Sequence, residues 1–200
     1  MKDDSRTKFV IASSNPGKVR ELRDILTSLD FIVITRQELG VDIDVEETGG
    51  TFTENAMLKA KAICDATGLP SIADDSGLVI DALGGAPGLY TSSFGGEGLD
   101  DRARCQYLLS VMDGREQRSA MFVSAIVCVF PDGTSIAAQG ECAGSITMEQ
   151  LGSGGFGYDP VFIAEGMDVT MAELPSVLKH DISHRGKALK QFAKLLEVES

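Results

Sequence analysis

The chain has no apolar run approaching the roughly 20 residues that a membrane-spanning helix needs. Its polar start, Met1-Lys2-Asp3-Asp4-Ser5-Arg6-Thr7-Lys8, lacks the apolar stretch of a secretory signal. A cytoplasmic protein that spans no membrane is the expectation. The sequence also lacks any Cys-x-x-Cys pair. Cys64, Cys105, Cys128 and Cys142 are widely spaced, which excludes a zinc ribbon, and buried free thiols are expected rather than disulfides. Positive charge is scarce as well: 18 lysines and arginines face 30 acids, a formal net charge of −12. A protein that binds nucleic-acid polymers gathers a basic surface, because phosphate neutralisation dominates that affinity. Here the balance has the wrong sign. Phosphates, if bound, must be held locally by a few placed lysines and a divalent cation, which points to a small nucleotide. The remainder is an ordinary globular composition, 43% hydrophobic and 24% charged over 200 residues, the size of one domain or one domain with two lobes.

Periodicity organises the chain. Lys8 to Ala12 reads as a strand, followed by the turn Ser13-Ser14-Asn15-Pro16-Gly17-Lys18 and then by Val19, Leu22, Ile25, Leu26 and Leu29 at helical spacing. Asn15 suits an N-cap and Pro16 the first helical position. Phe31 to Ile34 reads as the next strand. After the acidic stretch Asp42, Asp44, Glu46, Glu47, the segment Thr51-Phe52-Thr53-Glu54 fits a capping box for a helix reaching Thr67, where Gly68 stops it. Pro70 to Ala73 predicts a short buried strand delivering Asp74-Asp75-Ser76-Gly77, and Gly77 to Ile80 a further strand. Gly84 to Gly98 reads as a long loop and Leu99 to Met112 as a helix. Ser119 to Phe130 and Thr134 to Ile146, joined by Pro131-Asp132-Gly133, form a long hairpin. Gly152 to Tyr158 is a second glycine-rich loop, Val161 to Ile163 a short strand, and Ser183 to Leu196 a closing helix. The whole is a mixed α/β chain with a cleft lined by polar turns.

Several of those turns carry chemistry. At Ser13 to Lys18 a helix start offers N–H groups and partial positive charge to a phosphate; the alternative is a good cap followed by a surface lysine. This is not a Walker A loop, which needs glycine where Ala12 stands and Ser or Thr where Val19 stands. Asp74 and Asp75 repel each other at the end of an apolar strand unless a cation or base relieves them. In a continuing strand they point to opposite sides and need not share one role. Hard oxygen ligands suit Mg²⁺; the alternative is a turn with solvated aspartates. Glu46-Glu47 precede a helix whose Asn55 and Lys59 share one face, either completing a metal-plus-phosphate site or forming an acidic surface. In Gly154-Gly155-Phe156-Gly157-Tyr158-Asp159-Pro160, glycines let backbone approach a flat ligand, Phe156 is placed to stack on a base and Asp159 to read its edge, unless the loop packs back on the core. Ser183 caps the last helix, leaving His184 and Arg185 as donors to purine oxygens. His180 and His184 lie four apart, but the cap breaks their helical register and no third ligand lies near in sequence.

Taken together, SSNPGKVREL, EETGGTFTENAMLKAKA, IADDSGLVIDALGGAPGLYTS, GGFGYDP and ISHRGKAL resemble, in order and from about Val10 to Leu189, the inosine-triphosphate pyrophosphatase (XTP/dITP diphosphatase) family. The resemblance implies one nucleoside-triphosphate pyrophosphatase domain over residues 1–200. Its fold would be an α/β, two-lobed mixed-sheet fold with a central substrate cleft, usually a homodimer. It implies Mg²⁺-dependent hydrolysis of the purine nucleoside triphosphates ITP, dITP or XTP to monophosphate and pyrophosphate. By position, Ser13, Ser14, Asn15, Pro16, Gly17 and Lys18 would hold the triphosphate, with Lys59 assisting. Glu46 and Asp75 would hold the metal, Asp75 doubling as base for the attacking water, and Ser76 would contact substrate. Phe156, Gly157, Tyr158 and Asp159 would frame the base, and Lys179, His184 and Arg185 would read its oxygens. The chain departs from the family pattern at LPSVLKHD, before ISHR, and at Met121, near a place where a basic residue is common.

Two rival readings use other features. Asp42-Ile43-Asp44-Val45 mimics the nucleophile motif of haloacid-dehalogenase-like phosphatases, although Leu39-Gly40-Val41 is a poor strand to present it. A nucleotide-binding regulator without catalysis is the other, and intact Lys18, Glu46 and Asp75 argue against it.

Overall fold

Parallel strands joined by helices open the fold of the computed structural model, which describes residues 7–199. The polar start read above lies, over residues 1–6, outside the described residues. β1 (Lys8–Ile11) pairs in parallel with β2 (Ile32–Thr35), Lys8 opposite Ile32, and with β3 (Ser71–Ile80), Val10 opposite Ser71. Parallel neighbours need crossovers, supplied by α1 (Pro16–Ser28) and α2 (Phe52–Thr67). α3 (Asp101–Val111), β4 (Ser119–Val129), β5 (Ser135–Ile146), β6 (Phe162–Ala164), α4 (Ser176–Ile182) and α5 (His184–Glu199) follow. The strands form one sheet in the order β2-β1-β3-β4-β5-β6, mixed because β5 and β6 pair antiparallel.

Local chemistry explains the helix ends. Asn15 caps α1, its side chain accepting from the N–H groups of Gly17 and Lys18, with Pro16 in the first turn. Thr51 Oγ1 accepts from the Glu54 N–H at 3.1 Å, while Glu54 turns its carboxylate to the Gly50 N–H at 2.7 Å, one residue before the cap. Gly68, at φ 67°, closes α2 in the left-handed conformation open to glycine.

The structure corrects two expectations. Pro70–Ala73 and Gly77–Ile80 are not separate strands: β3 runs unbroken through Asp74, Asp75 and Ser76. A helix absent from the sequence reading, α4, precedes α5 and starts directly after Pro175. Its 7 residues are too short to display a period.

The chain divides into two compact units, and β3, β4 and β5 each contribute to both. The first takes the chain through Asp75, then Ala125–Gln139, and resumes at Ala188. Its core has one layer around Phe9, Ile11, Leu22, Leu26, Ile72 and Phe192 and another around Val10, Ala56, Ala60, Ile63 and Val127. Phe31 meets Phe9 edge-on at 5.2 Å and Phe192 at 6.0 Å, geometry that adds about 0.5–1.5 kcal/mol per pair beyond area burial. The second unit, Ser76–Ser124 with Gly140–Lys187, packs Leu78, Leu108, Met112, Val161, Phe162 and Met171. Cys64, Cys105, Cys128 and Cys142 are all free and buried. Among the described residues no helix is long and apolar enough to cross a membrane.

Candidate active site

Strand register brings the first set of groups together. Val10 and Ile11 lie opposite Ser71 and Ile72, so the turn after β1 runs beside Asp74 and Asp75, at the carboxyl end of parallel strands where open α/β sheets place ligands. Lys18 reaches back from α1 to Asp74, with Nζ 2.9 Å from Oδ2. Lys59, two turns into α2, sets its Nζ 2.8 Å from Asp75 Oδ1 and 2.9 Å from Glu47 Oε1. The adjacent aspartates therefore take different lysines from different helices. Asp74 is 1% and Asp75 6% exposed, a placement that would be costly without those ammonium groups.

The pKa directions follow from this packing. Burial holds the Asp75 carboxyl above its ordinary value, against the downward pull of Lys59 and then Lys18. Burial also acts to lower the Lys59 ammonium, but the Asp75 and Glu47 carboxylates outweigh it and its pKa is raised. Asn55, buried on the same face of α2, donates from Nδ2 to Asp75 Oδ2 at 3.4 Å and accepts from the Gly49 N–H at 2.8 Å. One amide thus ties the acidic loop to the strand that carries Asp75.

The α1 turn is more self-contained than the sequence implied. Asn15 Oδ1 already accepts from the N–H groups of Gly17 and Lys18 at 2.9 and 3.1 Å, and Ser13 Oγ accepts from the Asn15 N–H at 3.2 Å. Ser14, Asn15 and Pro16 are exposed, whereas Ser13 and Gly17 are buried. What this turn offers an anion is the field of the helix start and the nearby Lys18 ammonium.

Among the described residues, no group of three or more His, Cys, Asp or Glu side chains is gathered to hold a metal by itself. Asp75 and Glu47 nonetheless already share one cation, the Lys59 ammonium. An oxygen-only donor pair of this kind fits Mg²⁺, which keeps several waters and takes phosphate oxygens as ligands. Both adjacent glutamates are exposed, and it is Glu47 that the structure brings to Lys59, while the Glu46 carbonyl accepts from the Thr48 N–H at 3.2 Å.

The second unit assembles the remaining groups. Phe156 is half-buried, and Lys179 Nζ and Arg185 Cζ lie 5.2 and 5.5 Å from its ring centroid, within cation–π range. Asp159 Oδ2 accepts from Lys179 Nζ at 2.5 Å and from the Phe156 N–H at 2.8 Å, which fixes the ring and the lysine to one carboxylate. Gly155 must lack a side chain, because a Cβ there would strike that carboxylate. Arg185, 2% exposed, donates from Nη2 to Ser76 Oγ at 3.0 Å. His184 stacks on Phe122 at 4.7 Å and 12°. Tyr158 is buried in the core and donates to the Thr91 carbonyl at 3.1 Å, and both polar backbone groups of Gly157 are engaged inside the protein. Phe156, Asp159, Lys179, Arg185 and Ser76 thus form one connected set, while Tyr158 supports it from beneath.

In the sequence Glu47, Asp74 and Asn55 stand within the candidate segments without a role of their own, and Phe122 stands outside them. Asn55 had a visible signal, its helical spacing from Lys59; Phe122 had none beyond its place in an apolar strand. The phosphatase motif is not supported. Residues 42–45 belong to no strand or helix, and the Asp42 side chain is fully exposed, 3.7 Å from Arg36. A phosphatase of that class needs its aspartate at a strand end.

Known proteins match nearly the whole chain. The Ham1 family model matches residues 9–195. A dITP/XTP pyrophosphatase of Bacillus subtilis is 46% identical over 94% of this chain and 96% of its own length. One from Haemophilus ducreyi is 48% identical over 96% of this chain and 100% of its own. The solved structure of the Staphylococcus aureus Ham1 protein superposes with a TM-score of 0.85 at 41% identity, covering 97% of this chain and 100% of that one. The chain belongs to the Ham1 family.

Proposed function

We propose that this chain is a nucleoside-triphosphate pyrophosphatase acting on ITP, dITP and XTP with Mg²⁺, releasing the monophosphate and pyrophosphate, and that it works as a cytoplasmic homodimer. The observation that carries the reading is the Lys59 ammonium held between Glu47 and Asp75, at 2.9 and 2.8 Å, in a chain whose relatives are named dITP/XTP pyrophosphatases. Phosphoryl transfer needs positioning and charge stabilisation more than covalent help from the protein. Bound at Asp75 with Glu46 or Glu47, Mg²⁺ would offset phosphate charge and polarise the anhydride.

The chain's own groups do the rest. Lys18 and Lys59 exchange part of their carboxylate contact for phosphate oxygens, and the start of α1 orients the triphosphate. Water adds to phosphorus, its proton passes to Asp75, and the bond between the α- and β-phosphates breaks to release pyrophosphate. In the second unit Phe156 offers a stacking face. Arg185 and His184 donate to the oxygen that hypoxanthine and xanthine carry at C6, where adenine has an amino group. An Arg185→Ala variant is expected to narrow the ITP-to-ATP ratio of kcat/KM by roughly tenfold. An unchanged ratio would remove Arg185 from base reading.

The decisive experiment is a nucleotide panel with Mg²⁺ scored for pyrophosphate against orthophosphate. Pyrophosphate from ITP, dITP and XTP, with little from ATP, is the expected result. Orthophosphate would overturn the bond assignment, and tight binding without turnover would indicate a regulator.

A further inference from the structure

The glycine-rich loop that carries Phe156 is held at Gly157 by α3, a helix with no assigned part in the site. The Gly157 N–H donates to Asp101 Oδ2 at 2.7 Å, and the Cys105 thiol donates to the Gly157 carbonyl at 3.3 Å. Asp101 and Cys105 are one helical turn apart on α3 and face the same way. A single helix face therefore grips the N–H and C=O of one residue. Gly157 sits at φ +61°, with open space where a Cβ would be; its conformation, not crowding, calls for glycine.

The grip is itself anchored. Capping of α3 falls to Asp100, whose Oδ1 accepts from the Ala103 N–H at 2.7 Å, so the neighbouring Asp101 carboxylate is left for the loop. Between the gripping residues, buried Arg104 donates to the carbonyls of Phe94 at 3.0 Å and Leu99 at 2.7 Å, fixing the segment that leads into α3. The Cys105 thiol stays protonated, as a donor must: burial, then Asp101 and Asp159, push it up to about 12. On the far side of Gly157, Asp159 holds the Phe156 N–H.

We propose that Asp101 is a positioning residue for base selection, acting through the Gly157 backbone to hold Phe156 and its cation partners, Lys179 and Arg185, in register. This rests on the assignment of Phe156 to the base. Asp101 is exposed and lies in the first helical turn, where its charge suits the helix dipole, and the fold does not depend on its burial. Its loss should therefore move the loop more than the melting temperature.

The test compares Asp101→Ala with Asp101→Asn, which keeps an oxygen acceptor, in the full chain. Loop order is read by amide hydrogen exchange over residues 152–159, and selectivity by steady-state kinetics on ITP and ATP with Mg²⁺. In Asp101→Ala, exchange in the loop and KM for ITP should each rise roughly tenfold, a charge-assisted hydrogen bond being lost. kcat on ITP should change by less than about twofold and the ITP-to-ATP ratio should narrow. Asp101→Asn should restore most of each. Wild-type exchange in Asp101→Ala, or a faster-exchanging loop with unmoved KM and ratio, overturns the proposal, as does an Asn variant that behaves like Ala. Absence of ITP hydrolysis by the wild-type protein instead defeats the functional reading, and the exchange data then still decide whether Asp101 holds the loop.

Discussion

Asp75→Asn is expected to lower kcat on ITP by roughly 10²–10⁴-fold, the range a positioned base contributes, while nucleotide binding and fold persist. The replacement has the same shape. It keeps an oxygen facing Lys59, and Lys59 keeps Glu47 as its second partner at 2.9 Å. What disappears is the negative charge, the ability to take a proton and the long acceptor contact to Asn55 Nδ2 at 3.4 Å. Stability should not suffer from that loss. Burial raises the Asp75 pKa in the folded chain above its ordinary value of 3.8, so the folded state binds this proton more tightly than the unfolded state does. Ionisation of Asp75 therefore works against folding as pH rises from the unfolded value through the raised folded one. An amide carries no such cost. Protonation of Asp75 also removes the acceptor for the proton of the attacking water, so the wild-type protein should show an acid limb in kcat/KM that Asp75→Asn lacks. Pyrophosphate release measured across pH for both proteins, with thermal melts alongside, checks each part. Turnover in Asp75→Asn within tenfold of wild type would remove Asp75 as the base.

Much of this site could be read from local sequence because its parts are local: a cap and proline at Asn15-Pro16, a capped helix from Thr51, paired aspartates after an apolar run. What could not be read was pairing across the chain. Nothing near Lys18 in sequence names Asp74 as its partner; the parallel register of β1 and β3 does that. The uninterrupted course of β3 was hidden for a related reason. Consecutive aspartates inside a buried strand contradict strand preferences, and only lysines arriving from α1 and α2 make the arrangement tolerable. The choice between Glu46 and Glu47 depends on the backbone path of a loop without periodicity. Asp101 carries no local signal that sets it apart from any acidic residue near a helix start, and its bond to Gly157 spans a long stretch of chain. Local pattern thus revealed which segments carry chemistry, while the long-range partners that tune each charge required the fold.

Gly186→Ala should be the most damaging single-methyl change in the second unit. Gly186 lies just inside α5, directly after His184 and Arg185, and a Cβ there would collide with the backbone carbonyl oxygen of His180, with Ser183 Oγ a further 3.3 Å contact. The obstacle is helical backbone rather than a flexible side-chain end. The His180 peptide sits within α4, and Ser183 is fixed on both sides, its N–H donating to Lys179 O at 2.9 Å and its Oγ accepting from the Gly186 N–H at 3.0 Å. Relief requires α4 or α5 to shift. Moving α4 displaces Lys179 from Asp159, and moving α5 displaces His184 from Phe122 and Arg185 from Ser76. Overpacking of this kind costs about 3 kcal/mol, a fall in melting temperature of roughly 6–12 °C for a chain of this size. Base selectivity should fall with it, since either shift disturbs the cations over Phe156. Gly50→Ala is the matched control: its added Cβ meets only Glu54 Oε2, at an ordinary 3.6 Å, and stability should stay within about 0.5 kcal/mol of wild type. Thermal melts of both variants, with ITP and ATP kinetics on Gly186→Ala, decide the matter. A Gly186→Ala protein that melts within about 2 °C of wild type would show that the helix junction yields where its packing says it should not.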